Sequence, residues 1–346
     1  MKILVTGNRG YIGRVLCTRL AEAFGDDLDL VGLDSGFYDP FAMRQESARE
    51  IVQQVHADIR DVDGDFLVDY DAVVHLAALS NDPLGEFDQR LTFEINRDAA
   101  IKLAVSAKRA GVRKFVYFST QSIYGQSPDD FEVPEDFAKK PMTAYAKSKY
   151  EAETEILKLN DDNFQILALR PSTVFGPSPS FRSDIVFNNF CSSAFVEKEI
   201  VVFTDGSPIR PAVSVDLVAQ TVVSALSNHQ FRGWGLAVNL GVGDCNFTVK
   251  QLAQIVADVF DVKIKFGQTL PDERSYRIGF SRFKTLFPDL WRDTIDMHES
   301  AMQNKNFFID VGYQQSNFRT EQTQRLKALK NLIDSKKLTT EFRWDR

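Results

Sequence analysis

Two residues four apart could carry proton chemistry. In Tyr145-Ala146-Lys147-Ser148-Lys149 a helix would set a phenol and an ammonium on one face, one turn apart. An ammonium beside a phenol stabilises the phenolate and draws its pKa from about 10 towards neutrality, which would make Tyr145 a general base or acid. Taken alone, Tyr-x-x-x-Lys reads as a half-buried Tyr with a snorkelling Lys. Upstream stands Ser119-Thr120-Gln121-Ser122-Ile123-Tyr124-Gly125, a strand running into a hydroxyl-rich turn. Strand ends at the carboxyl edge of an α/β sheet are where ligands bind. Thr120 is therefore expected to donate to the same substrate oxygen that Tyr145 titrates.

A second motif could hold an anion. Gly7-Asn8-Arg9-Gly10-Tyr11-Ile12-Gly13 has the spacing G-x-x-G-x-x-G between an apolar strand and an amphipathic helix. Glycines let the backbone turn tightly and approach a pyrophosphate, which then sits at a helix N-terminus. A glycine triplet is weak evidence by itself, but the context supports it, because Asp34 closes the next apolar run. A carboxylate there accepts hydrogen bonds from an adenosine ribose and repels a 2′-phosphate, favouring NAD over NADP. Arg9 pulls the other way, since a guanidinium in that loop could meet the phosphate. Asp58-Ile59 is placed to hold the adenine edge, or is an ordinary loop acid with its neighbour.

Together these segments resemble the extended short-chain dehydrogenase/reductase superfamily, in particular its nucleotide-sugar epimerase/dehydratase group. Matching stretches are the glycine turn, Asp34, His75-Leu76-Ala77-Ala78, Asn96, the Thr120 turn, Tyr145 with Lys149, and Leu169-Arg170-Pro171-Ser172-Thr173-Val174-Phe175-Gly176-Pro177. Asp205-Gly206-Ser207-Pro208-Ile209-Arg210-Pro211 and Asp272-Glu273-Arg274-Ser275-Tyr276 look like the group's substrate-lobe signatures. The likeness spans roughly residues 1–285. It implies that Thr120, Tyr145 and Lys149 are catalytic and that Lys149 also holds the nicotinamide ribose. Gly7, Arg9, Gly10, Tyr11, Ile12, Gly13, Asp34, Asp58, Ile59, Leu76, Ala77, Ala78 and Asn96 would complete the NAD site. Ser80, Asn81, Thr120, Ser122, Thr173, Asn188, Asn189, Arg210 and Arg274 would contact a nucleotide-diphosphate sugar, the two arginines gripping its diphosphate. Each of those arginines alone would read as a surface ion pair. Two positions depart from the pattern. Thr173 stands where many relatives carry Asn. Gln121 and Ser122 stand where sugar 4,6-dehydratases carry Asp-Glu, and a neutral amide and an alcohol are poor at the acid and base work of eliminating water.

The elements that must position these groups are legible as alternating patterns. Lys2-Ile3-Leu4-Val5-Thr6, a run over residues 28–33, another over 71–76, Lys114-Phe115-Val116-Tyr117-Phe118 and a run over 163–169 read as strands. Helices fall over 11–24, 96–110 and 144–159. Strands alternating with helices predict a Rossmann-type doubly wound parallel sheet, with a smaller mixed α/β substrate-binding lobe following. The expected organisation is an NAD-binding domain over 1–170, with the chain crossing back at about 210–245, and a substrate lobe and tail over 171–346. The tail from 320 to 337 reads as a charged amphipathic helix lying solvated on the surface.

The chain has 346 residues, 44% hydrophobic and 12% aromatic, enough for about two folding units of roughly 150 residues and a substantial core. Its net charge of -7 argues against a general nucleic-acid or anionic-membrane binder. Cys17, Cys191 and Cys245 are odd in number and far apart, so neither a disulfide framework nor a metal site is expected. Met1 meets an apolar strand almost at once, leaving no room for a cleavable signal, and no apolar run is long enough to span a bilayer. A cytoplasmic protein is expected, and the resemblance implies a homodimer through the 96–110 and 144–159 helices.

Three functions compete. The first is an epimerase or dehydrogenase that moves hydride at sugar C4 through a 4-keto intermediate. The second is a reductase delivering hydride from NAD(P)H to a keto-sugar. The third is a non-catalytic dinucleotide sensor, which would be expected to lose the Tyr/Lys pair.

Overall fold

The computed structural model describes residues 1–44, 53–127, 131–267 and 275–345. Seven strands form its central sheet: β1 (Lys2–Thr6), β2 (Asp29–Asp34), β3 (Gln53–His56), β4 (Ala72–His75), β5 (Lys114–Phe118), β6 (Gln165–Pro171) and β7 (Leu236–Leu240). Their order is β7-β6-β5-β4-β1-β2-β3, and every pairing is parallel. This is the Rossmann-type doubly wound sheet expected from the alternating pattern. The strands read as unbroken apolar runs because parallel sheets are covered on both faces. Leu4, Val31, Val73 and Phe115 pack into the core on one side, while Ile3, Val5, Leu30, Val74 and Val116 pack into the core on the other. That alternation is the period of two of a pleated strand.

The Tyr11–Phe24 helix lies against the helix Val215–Ser227, sharing a core with Leu16, Leu20, Val218 and Val222. The opposite face takes the helices Ala100–Arg109 and Ala144–Leu157, through Leu103, Ala107, Ala152 and Ile156. The first of these is the end of a longer run than expected: Gln89–Phe93 is α-helical and Glu94–Ala99 is a π-helical segment. Val215–Ser227 and β7 bring the chain back to the central sheet after it has left at Pro171.

Beyond Pro171 a third core gathers Phe175, Phe187, Ile200, Leu252, Val256 and Phe308. Its helices are Val186–Val196, Val249–Phe260 and Met297–Asp310. The second begins in a capping box in which the Thr248 hydroxyl accepts the Gln251 N–H and the Gln251 side chain accepts the Thr248 N–H. Short strands Thr173–Phe175, Ile209–Ser214 and Asn246–Thr248 form a mixed three-stranded sheet above the carboxyl edge of the main one.

The tail corrects the reading of a solvated helix. The helix is shorter, Arg325–Asp334, and Ala328, Leu329 and Leu332 on it are buried. Leu329 and Leu332 join the same core as Leu4 and Val31, as do Leu338 and Phe342 beyond them. Lys327, Lys330 and Asp334 occupy its outer face, whereas Arg325 is buried. Its i, i+1, i+4 apolar stripe is wide enough to dock against the sheet's covering layer.

Candidate active site

The glycine turn is built by close approach. Gly7 takes a positive φ of 72°, and a Cβ on it would lie 2.6 Å from the Ala77 backbone nitrogen. A Cβ on Gly13 would lie 2.3 Å from the Gly7 carbonyl oxygen, so neither position accepts a side chain. Gly10 then opens the Tyr11–Phe24 helix with no side chain capping its first N–H groups. The residues of this first turn line the cavity, which is where an anion would be held. At the end of β2 the Asp34 carboxylate accepts the Arg9 N–H at 3.2 Å and the Gly36 N–H at 2.8 Å. Burial raises its pKa.

Thr120 terminates the chain leaving β5. Its backbone is extended, its hydroxyl accepts the Ser122 N–H at 3.2 Å, and it donates to Ser122 Oγ at 3.3 Å. Tyr145 sits in the first turn of the Ala144–Leu157 helix, whose start is fixed twice. The Thr143 hydroxyl accepts the Ala146 N–H at 3.1 Å while donating to Asp82 at 2.6 Å, and Glu86 accepts the Ala144 N–H at 2.7 Å. Gly85 lets the short Asp82–Phe87 helix press against Tyr145, since a Cβ there would be 2.9 Å from that of Tyr145. One turn on, Lys149 is buried with its Nζ 4.4 Å from the centre of the Tyr117 ring.

The electrostatics differ from expectation. Burial pushes the Tyr145 phenol up to about 12, and the groups that hold it lower are the Thr120 hydroxyl and the Arg182 guanidinium. Burial pushes Lys149 down to about 7, against the pull of Glu153. Until a partner charge enters the cavity, desolvation therefore favours the neutral form of both side chains.

Glycine turn, Thr120, Tyr145 and Lys149 line one continuous cavity of about 500 Å³. Tyr11, Ile12, Asp34, Asp58, Ile59, Leu76, Ala77 and Ala78 line it too, as do Ser80, Asn81, Ser122, Thr173 and Arg210. The Asp58 carboxylate is already held by Arg60 at 2.7 Å and by Arg343 at 3.2 Å. Ser119 Oγ and Gln121 Oε1, on either side of Thr120, are buried with no hydrogen-bond partner among the described residues. Unanswered polar atoms at a cavity wall and a turn that admits no Cβ fit a dinucleotide and a polar substrate.

Other expected residues sit elsewhere. Arg9 contributes its backbone, but its guanidinium is turned to Asp39. That engagement removes the counterweight to Asp34. Asn96 is fully buried and ties the Leu79 loop by both backbone groups, at 2.8 and 3.0 Å. Asn188 is likewise buried, bonded to Tyr11 Oη, the Arg182 carbonyl and the Gly176 N–H at 3.0–3.1 Å. Asn189 donates to the Ser183 carbonyl at 2.7 Å. These three amides position loops around the cavity and do not line it. Arg274 lies outside the described residues.

Sequence reasoning missed the roof. Arg182 is buried over the cavity, bound to Asp184 at 2.8 and 3.1 Å and to Ser80 Oγ at 3.1 Å. Asp184 in turn accepts from Asn81 at 3.0 Å. A signal existed: two opposite charges inside the apolar stretch Phe181-Arg182-Ser183-Asp184-Ile185-Val186-Phe187 must be paired if buried. Tyr38 and Arg325 also line the cavity, and nothing local announced either.

A family model described as "NAD dependent epimerase/dehydratase family" matches residues 3–241. A UDP-glucose 4-epimerase of Mycolicibacterium smegmatis is 30% identical over 320 residues, covering 89% of this chain and 98% of the relative. The chain belongs to the NAD dependent epimerase/dehydratase family. Members are enzymes whose cofactor is NAD. Solved structures agree in fold. The UDP-glucuronic acid 4-epimerase of Bacillus cereus, in complex with UDP-glucuronic acid and NAD, superposes with a TM-score of 0.76 at 24% identity, covering 90% of this chain and all of that one. A UDP-glucose 4-epimerase of Thermotoga maritima gives 0.75 at 20% identity, covering 90% and 99%. Among the described residues no helix is long and apolar enough to cross a membrane.

Proposed function

We propose that this family member is an NAD-dependent nucleotide-sugar 4-epimerase, working through a 4-keto sugar. The observation that carries the reading is the single cavity shared by the glycine turn and Asp34 on one side, Thr120, Tyr145 and Lys149 at the centre, and Thr173 and Arg210 beyond. Bound along the glycine turn, NAD supplies a hydride acceptor and donor. Tyr145 withdraws the proton of the sugar's 4-hydroxyl and later returns it, and Thr120 donates to that same oxygen. Lys149 holds the nicotinamide ribose, and a phenolate formed beside it favours its ammonium form. Arg210 grips the substrate diphosphate. Residues 1–170 with the returning segment hold the dinucleotide, and most of 171–346 holds the sugar nucleotide.

Gln121 supports epimerisation over 4,6-dehydration. Its amide donates to the Arg170 carbonyl at 3.0 Å, and no carboxyl stands at its position or at Ser122. We further propose a cytoplasmic homodimer serving carbohydrate biosynthesis, built on the exposed sides of the Ala100–Arg109 and Ala144–Leu157 helices.

The test uses purified protein, no added cofactor and a panel of nucleotide sugars beginning with UDP-hexoses, the substrates named for the relatives. Interconversion of C4 isomers without net NADH is the expected result. Accumulating NADH with a 4-keto product makes it a dehydrogenase. Consumption of added NADPH with a 4-keto sugar, and no interconversion, overturns the proposal in favour of a reductase.

A further inference from the structure

Most buried arginines here have an anion beside them. Arg170 pairs with Glu153, Arg182 with Asp184, and Arg60 with Asp58. Arg325, on the first turn of the last helix, is 3% exposed and has no carboxylate within ion-pair distance among the described residues. Its one hydrogen bond among them goes to the Ser180 carbonyl at 2.7 Å, and its guanidinium lies 4.3 Å from the centre of the Tyr38 ring. It lines the same cavity as Gly10 and Asp34. Ser180 Oγ donates to the carbonyl of Arg9 at 2.8 Å, so Arg325 is held next to the glycine turn. Asp184 and Asp34 act on it only from beyond contact distance, and a buried guanidinium without a contacting anion is costly unless something anionic joins it. Consistent with that, burial lowers its pKa to about 10.

The same segment continues along the cavity wall. The Trp344 indole donates to the Ser35 carbonyl at 2.6 Å and its ring packs on Phe37, while Arg343 meets Asp58. Ser35, Phe37 and Asp58 all line the cavity near Asp34.

We propose that Arg325 binds the pyrophosphate of the dinucleotide, so that the C-terminal segment completes the cofactor site from the roof side. This rests on the dinucleotide reading of the glycine turn. A pyrophosphate brings two negative charges and several acceptor oxygens, which a guanidinium answers in bidentate fashion. A sugar nucleotide carries the same diphosphate, so the experiment separates the two sources.

Equilibrium dialysis on cofactor-stripped protein measures NAD, ADP-ribose and UDP separately, for the wild type, Arg325→Met and Arg325→Lys. Methionine keeps an apolar stem over Tyr38. The loss of one charged hydrogen-bonding group predicts NAD and ADP-ribose weakened about tenfold or more in Arg325→Met, partial recovery in Arg325→Lys, and UDP within about twofold. NAD affinity unchanged in Arg325→Met, or a loss confined to UDP, overturns the assignment. A wild type that binds neither NAD nor ADP-ribose sinks the dinucleotide reading itself. Hydrogen exchange on the wild-type chain guards against a misfolded variant. NAD should slow exchange in the Arg325–Asp334 helix and UDP should not; equal exchange with and without NAD also overturns the proposal.

Discussion

Two buried arginine sites show how one residue type serves opposite ends. Arg170, below the Thr120 turn, donates to Glu153 at 2.9 Å, to Tyr124 Oη at 2.7 Å and to the Glu135 carbonyl at 2.8 Å. Tyr124 donates to Asn239 at 2.7 Å, and Glu135 accepts the Asn239 N–H at 3.0 Å. The network ties the end of β5 to β6 and β7 and leaves the guanidinium compensated. At the roof, Arg182 shares Asp184 with Asn81, and Arg325 has a carbonyl and a ring. A closed charge network holds a site rigid, whereas an under-compensated one facing a cavity is prepared for a ligand's charge.

If the contrast is sound, chemistry and stability should separate. Tyr145→Phe should cut turnover by about 10²–10⁴-fold, the usual span for a lost acid–base group, with nucleotide-sugar affinity within a few-fold and the melting temperature little changed. Turnover close to wild type would remove Tyr145 from the proton transfer. Glu153→Gln should do the reverse in kind. It strands a buried guanidinium, and denaturant unfolding should show a loss of about 3–5 kcal/mol. A variant as stable as the wild type would mean that the network is not what anchors the strand ends.

A smaller effect concerns the adenosine end. Asp34 faces the cavity while Arg9 is engaged by Asp39, so NAD should bind about tenfold or more tightly than NADP by fluorescence titration. Preference for NADP would show that Arg9 leaves Asp39 when the phosphate arrives. The mildest test is of pH. His75 is buried, accepts or donates to Thr6 Oγ1 at 2.7 Å, and is pushed down to about 3 by burial and by Lys149. The unfolded chain therefore binds the extra proton first. Stability should be whole above about pH 6.5 and decline as pH falls from there towards 3. His75→Phe should flatten that part of a pH series of urea melts; an unchanged slope would assign acid sensitivity to other groups.

Much of the cavity floor was legible because its signals are local. Gly7, Gly10 and Gly13 announce a backbone conformation, Asp34 ends an apolar run, and Tyr145 and Lys149 are one helical turn apart whatever surrounds them. The resemblance makes Asn96, Asn188 and Asn189 ligand contacts because their positions match a pattern. Each amide instead donates to a backbone carbonyl 6 to 17 residues away, and Asn188 also to Tyr11 Oη on the first helix, partners that only the folded loops bring within reach.

By itself, then, the amino-acid order determined a doubly wound parallel sheet, an anion-binding turn at its carboxyl edge and a Tyr/Lys pair near it, since strand period, helix period and glycine geometry act over a few residues. Only the tertiary structure decided the rest. It set the protonation balance, raising Tyr145 and lowering Lys149, because desolvation is a property of the enclosed volume and not of a motif. It also turned a charged tail into a buried wall and carried Arg325 from the end of the chain to the glycine turn at its beginning, since the contacts that place it join segments more than a hundred residues apart.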